Sequence, residues 1–86
     1  MNNLKYYREK IDAIDKNIVK LLLLRFYLAV KIVKYKKINK IKITDKKREQ
    51  QVINNIKKFS KNSHQEFIIK IFKNIIQYSK MMQSKK

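Results

Sequence analysis

The chain has no cysteine, no glycine, no proline and no tryptophan, a single histidine, and only 6 acidic residues in 86. Each absence removes a class of protein. Without cysteine there is no disulfide framework and no thiolate metal site, and one histidine cannot build an imidazole-rich one. No metal or cofactor site is therefore expected. Without glycine and proline the usual turn residues are missing, so helix is the default. A long apolar run is missing too. The richest stretch, IVKLLLLRFYLAV from Ile18 to Val30, is broken by Lys20 and Arg25. It is too short and too charged to cross a bilayer, and it begins too far from Met1 for a signal peptide. The absence of cysteine fits a reducing, cytoplasmic setting. A single domain over residues 1–86 is expected, and a chain so short buries only part of its surface. With disulfides and metals excluded, association with a second chain is the remaining source of burial.

What is abundant is positive charge. Lysine and arginine total 23, for a formal net charge of +17. Such a charge suits a polyanion partner, nucleic acid or an anionic membrane. It also suits an A/T-rich genome, because lysine, isoleucine and asparagine have A/T-rich codons while glycine and proline need G/C. Lysine lies on the outer faces of every expected helix and no recognition-helix pattern is present, so neither specific nucleic-acid binding nor membrane binding is expected. Against this background the three arginines, Arg8, Arg25 and Arg48, are more informative than the lysines.

Apolar periodicity predicts three amphipathic helices. Leu4, Tyr7, Ile11, Ile14, Ile18, Leu21, Arg25, Leu28, Ile32 and Tyr35 alternate spacings of three and four, a heptad-like stripe from about Leu4 to Lys37. A rod of roughly 50 Å is too long for so small a monomer to cover, and a partner with the same stripe is its natural cover. After a polar stretch, Asp45 is placed to cap a second helix, about Lys46 to Lys61, with Val52, Ile53, Ile56 and Phe59 inward. The SHQE sequence from Ser63 to Glu66 matches a capping box. It opens a third helix, about His64 to Gln83, whose stripe is Phe67, Ile68, Ile71, Phe72, Ile75, Ile76, Ser79 and Met82. The fold class is all-α, one long helix plus two shorter ones.

Polar residues interrupt these apolar faces. Arg25 lies in the middle of the first stripe, with Lys36 about 20° away three turns later. Asp45 and Glu49, with Arg48 at the edge, lie on the inward side of helix two. Ser79 and Gln83 occupy one side of helix three, and Arg8 flanks the first stripe. Singly, each has an ordinary explanation: a register-setting or snorkelling arginine, acids at a helix N-terminus, polar groups near a fraying end. Together they are chemically complementary, and burying them is costly unless they meet partners. A small, polar, anionic ligand supplies such partners. Arg8 and Arg25 are 17 residues apart, about 25 Å along a straight helix. They reach one small ligand only if Arg8 of one chain approaches Arg25 of another in an antiparallel dimer.

The stretches LKYYREKIDAIDKNIVKLLLLRFYLAVKIVKYKK, ITDKKREQQV and FIIKIFKNIIQYSKMMQ resemble the all-helical, AroQ-type chorismate mutases, over about residues 4–83. The resemblance implies an intertwined antiparallel homodimer with two sites, each built from both chains, that rearranges chorismate to prephenate in phenylalanine and tyrosine biosynthesis. It implies that Arg8 reaches into the partner's site to hold one substrate carboxylate and that Arg25 binds the other. It makes Lys36 and Gln83 the donors to the ether oxygen and Ser79 a carboxylate contact. Arg48 supports the charge network, while Glu49 and the backbone of Asp45 address the substrate hydroxyl. Val33 and Lys42 stand where many members have glycine and proline. An isochorismate pyruvate-lyase on the same scaffold is a neighbouring reading, and a basic nucleic-acid-binding helical protein a more distant one. His64, beside the expected cap, is assigned no role.

The chemistry suits the composition. The rearrangement breaks a C–O bond as a C–C bond forms within one molecule and needs no nucleophile, metal or redox group. It needs a dianion held with its reacting ends together and charge on the ether oxygen stabilised. Arginine's planar fork suits the carboxylates better than lysine's point charge.

Overall fold

The computed structural model describes residues 2–84, with side chains as far as Met82. Three helices account for nearly all of it: α1 (Asn3–Ile38), α2 (Lys46–Phe59) and α3 (Gln65–Ser84). No strand occurs among the described residues, so the all-α expectation holds. Among the described residues no helix is long and apolar enough to cross a membrane.

The ends of α1 show how a chain without glycine starts and stops a helix. Asn2 caps it, its side-chain oxygen accepting the Lys5 N–H at 3.0 Å. At the other end the Ile41 N–H donates to the Lys36 carbonyl at 2.8 Å and the Lys40 N–H to the Lys37 carbonyl at 3.4 Å. This is the paired Schellman pattern, which needs a left-handed residue between helix and loop. Lys40 takes that position with φ of 55°. Glycine would do so without steric cost, whereas a residue with a Cβ is destabilised there by about 1 kcal/mol.

Asp45 caps α2 as expected, its carboxylate accepting the Arg48 N–H at 2.9 Å. The helix is shorter than its periodicity suggests. It ends at Phe59, where the Ser60 hydroxyl turns back to donate to the Ile56 carbonyl. Phe59, expected inward, is the last residue of the helix and is 81% exposed. The capping box is not formed. Asn62, not Ser63, organises the start of α3, its side-chain oxygen accepting the His64 N–H at 2.8 Å. The Gln65 N–H, one that a Ser63 cap could have taken, goes to the Asn62 backbone carbonyl at 3.2 Å.

α2 and α3 form an antiparallel hairpin. At one end the Gln65 amide donates to the Lys57 carbonyl at 2.9 Å, and at the other Lys80 meets Glu49. α3 also packs against the C-terminal half of α1, where Phe26 and Tyr78 meet edge to face with centroids 5.0 Å apart. α1 and α2 do not pack against each other. They stand as two walls joined by α3, with a gap between them.

Little is buried in this arrangement. Val33 and Ile53 are the buried apolar residues, with Ser60 and Ser79 the buried polar ones. Val33 is the least exposed of the described residues at 4%. Every residue from 2 to 21 is exposed, including the stripe residues Leu4, Tyr7, Ile11, Ile14 and Ile18. The molecule measures 60 × 25 × 16 Å. Its length is that of α1, whose N-terminal half projects beyond the other two helices with its apolar side uncovered.

Candidate active site

The gap between α1 and α2 is a cleft of about 680 Å³, floored by α3. One face of α1 lines it through Arg25, Leu28, Ala29, Ile32 and Lys36. The spacings of three and four keep the two ends of that face, Arg25 and Lys36, within about 20° of each other along the helix. Ile43 and Thr44 of the loop, then Asp45, Arg48, Glu49 and Val52 of α2, form the opposite wall, with Ile76, Ser79 and Lys80 of α3 beneath. Six of the residues singled out from the sequence therefore meet in one place: Arg25, Lys36, Asp45, Arg48, Glu49 and Ser79. Arg8 does not join them. It lies exposed on the projecting half of α1, about 25 Å from Arg25 along the helix. Gln83 follows Ser79 by one turn in α3, and its side chain lies outside the described residues.

The charges of the cleft do not cancel. Four cations, Arg25, Lys36, Arg48 and Lys80, face two acids, Asp45 and Glu49, which leaves an excess of two positive charges. The acids are also occupied. Asp45 caps α2. Glu49 lies 3.5 Å from the Lys80 ammonium, the ion pair found among the described residues. Arg25 is half-buried and has no hydrogen bond or ion pair with any described residue. Burial, and then repulsion from Arg48, hold its pKa below the usual arginine range. A cation desolvated beside another cation is an unfavourable arrangement that a bound anion relieves.

Arg48 is not held at its guanidinium by either acid of the cleft. Its guanidinium donates to the Gln51 side-chain carbonyl at 2.8 Å, while only its backbone N–H goes to Asp45. Neighbours one residue apart on a helix do not face each other, so Glu49 cannot close on Arg48, whereas Gln51, three residues on, can. Lys36 reaches across the mouth of the cleft to donate to the Ile43 carbonyl at 3.1 Å. That bond sets the loop against α1, and two of the ammonium's three donors remain for a ligand. Ser79 is 7% exposed and donates to the Ile75 carbonyl at 3.0 Å. Its hydroxyl proton is directed back at its own helix.

Three contributors were not singled out from the sequence: the Ile43 carbonyl, Gln51 and Lys80. Backbone carbonyls leave no trace in residue type. Lys80 is one lysine among twenty. Its spacing of four from Ile76, on the stripe that also carries Ser79, was the available sign.

The arrangement can hold a compact dianion against an α1 wall that is apolar in its middle and cationic at its ends, with Arg48 on the wall opposite. The family model for chorismate mutase type II matches residues 7–84. The chorismate mutase of Methanocaldococcus jannaschii is 37% identical over 78 residues, covering 88% of this chain and 79% of that protein. No solved structure gives a significant match. The chain belongs to the chorismate mutase type II family.

Proposed function

We propose that this chain, an enzyme of the chorismate mutase family, converts chorismate to prephenate in clefts that two copies of the chain complete for each other. The observation that carries the reading is the pair Arg25 and Arg48, two unneutralised cations on facing walls of a cleft with an excess of two positive charges. Chorismate carries two carboxylates, one on its ring and one on its enolpyruvyl arm. Arg25 takes one of them. The other is met by Arg8 of the partner subunit, brought in by the half of α1 that projects uncovered. A second copy covers that half best, because its own α1 presents the same apolar stripe and its own cleft needs the same Arg8.

In the reaction the ether C–O bond breaks while the enolpyruvyl carbon bonds to the ring, and no proton or electron enters from outside. Holding the two ends in contact removes the rotational freedom that slows the free molecule. Lys36 and Gln83 donate to the ether oxygen as negative charge builds there, the stage at which fixed donors act most strongly. Glu49 accepts from the ring hydroxyl, with the backbone of Asp45 beside it. Ser79 binds a carboxylate by exchanging its bond to the Ile75 carbonyl for one to substrate. Even a millionfold acceleration requires about 8 kcal/mol, which two donors and two clamped carboxylates can supply. The setting is cytoplasmic synthesis of phenylalanine and tyrosine, and the lysine-rich outer faces take no part in the chemistry.

The test is direct. Purified protein is mixed with chorismate, and loss of chorismate and appearance of prephenate are followed, with Arg25→Ala as control. Turnover by the wild type and its loss in the variant support the reading. Absence of turnover, or equal turnover by Arg25→Ala, overturns it.

A further inference from the structure

Resting on the chorismate mutase reading, we infer that Lys80 is a positioning residue that acts through Glu49, keeping this carboxylate off the substrate-binding arginines and turned toward the substrate hydroxyl. The cleft contains a conflict that composition alone would leave unresolved. It must hold an acid for the hydroxyl and arginines for the carboxylates within one small volume, and an acid free to move would settle on Arg25, the cation left without a partner. A quenched Arg25 could not bind substrate. The structure shows how this is avoided. Glu49 is drawn to the α3 side by the Lys80 ammonium, 3.5 Å from Oε2. Arg48 is occupied by Gln51 on its own helix, and Arg25 is left open. Only one carboxylate oxygen of Glu49 is engaged, so Oε1 is free to accept. Both side chains are partly exposed, at 41% and 31%, and an ion pair so placed contributes little to stability, under about 1 kcal/mol. Its value lies in where it puts the acid.

The experiment compares steady-state kinetics of wild type, Lys80→Met, Lys80→Arg, Glu49→Gln and the double variant Lys80→Met/Glu49→Gln on chorismate. Lys80→Met is expected to lose about tenfold in kcat/KM, within the range of coupling between contacting residues. Both constants should suffer: KM rises because Glu49 neutralises Arg25, and kcat falls because the hydroxyl loses its acceptor. Lys80→Arg restores most of the loss. In the Glu49→Gln background the Lys80→Met change has no further effect, since nothing remains for Lys80 to position. Thermal unfolding midpoints of Lys80→Met and wild type should agree, which separates positioning from a folding defect. If Lys80→Met matches wild type, or its penalty persists in full beside Glu49→Gln, the inference is overturned while the mutase reading stands. If the wild type itself leaves chorismate unchanged, the mutase reading fails and takes the inference with it.

Discussion

Two variants that are each inactive should recover activity when mixed, and the amount recovered can be calculated. Arg25 lies in the cleft and Arg8 lies outside it, about 25 Å away along the same straight helix. A guanidinium at Arg8 cannot span that distance, so if both arginines serve one substrate they come from different chains. Arg8→Ala and Arg25→Ala proteins then each lack one arginine in every site. Random exchange of subunits at equal concentrations makes about half of the dimers mixed, each with one site intact and one lacking both arginines, as two-fold symmetry requires. About a quarter of all sites therefore hold both arginines, and the mixture should reach about a quarter of wild-type turnover per site. Each variant alone should sit well below that, since losing a charged contact to a buried carboxylate costs about 2–5 kcal/mol.

The assay is chorismate consumption by the mixture over time, with exchange followed independently by native mass spectrometry of chains tagged at different masses. Activity should rise with the same time course as the mixed dimer. Arg8 flanks the apolar stripe rather than lying on it, so its loss should leave assembly intact, and Arg25→Ala relieves the repulsion from Arg48 rather than breaking a bond. The reasoning is refuted if mixed dimers form while activity stays at the level of the separate variants. That result would place Arg8 outside the site altogether.

Other outcomes follow from the same geometry. Lys36→Ala and Gln83→Ala should each lower kcat by about a hundredfold to a thousandfold, the cost of removing one fixed donor to a developing oxyanion. For Lys36→Ala a small drop in unfolding temperature is also expected, from the lost bond to the Ile43 carbonyl. If the proposed dimer forms along the uncovered stripe, Ile14→Asp should shift it to monomer in analytical ultracentrifugation while leaving the contacts of α3 untouched. Lys40→Gly should raise stability to urea by about 1 kcal/mol, because the left-handed position at the end of α1 no longer carries a Cβ.

The helices were legible because their apolar faces repeat over many turns and the composition offers almost nothing else. α1 observed as Asn3–Ile38 differs from its periodic stretch by one residue at each end. Legibility failed where one residue's choice of hydrogen bond decides the outcome. α2 stops at Phe59, with the Ser60 hydroxyl bonded back to the Ile56 carbonyl, and Asn62 rather than Ser63 makes the side-chain bond at the start of α3. Both are local competitions among polar groups that residue spacing does not rank. The cleft was legible for a different reason. Arg25 and Lys36 fall 11 residues apart on α1, which a 3.6-residue turn converts into one face whatever the rest of the fold does. Lys80 could not be picked out by charge in a chain with 20 lysines, and its pairing with Glu49 depends on how α3 lies against α2, a tertiary fact.

The shortage of buried surface and the incompleteness of the cleft have the same origin. α1 is one continuous stripe used for two purposes. Its C-terminal half meets α3 and supplies Arg25 and Lys36 to the cleft, while its N-terminal half carries Arg8 and an apolar face with nothing against it. Folding a lone chain buries Val33 and Ile53 and little more, too small a core to hold a 36-residue helix in place. In the proposed dimer, a second copy docked along the stripe would add that burial and deliver the second arginine in the same step. On that proposal, stability and activity should fall together on dilution, with one midpoint. A monomer that kept turnover after its partner had dissociated would show that the second arginine is not needed.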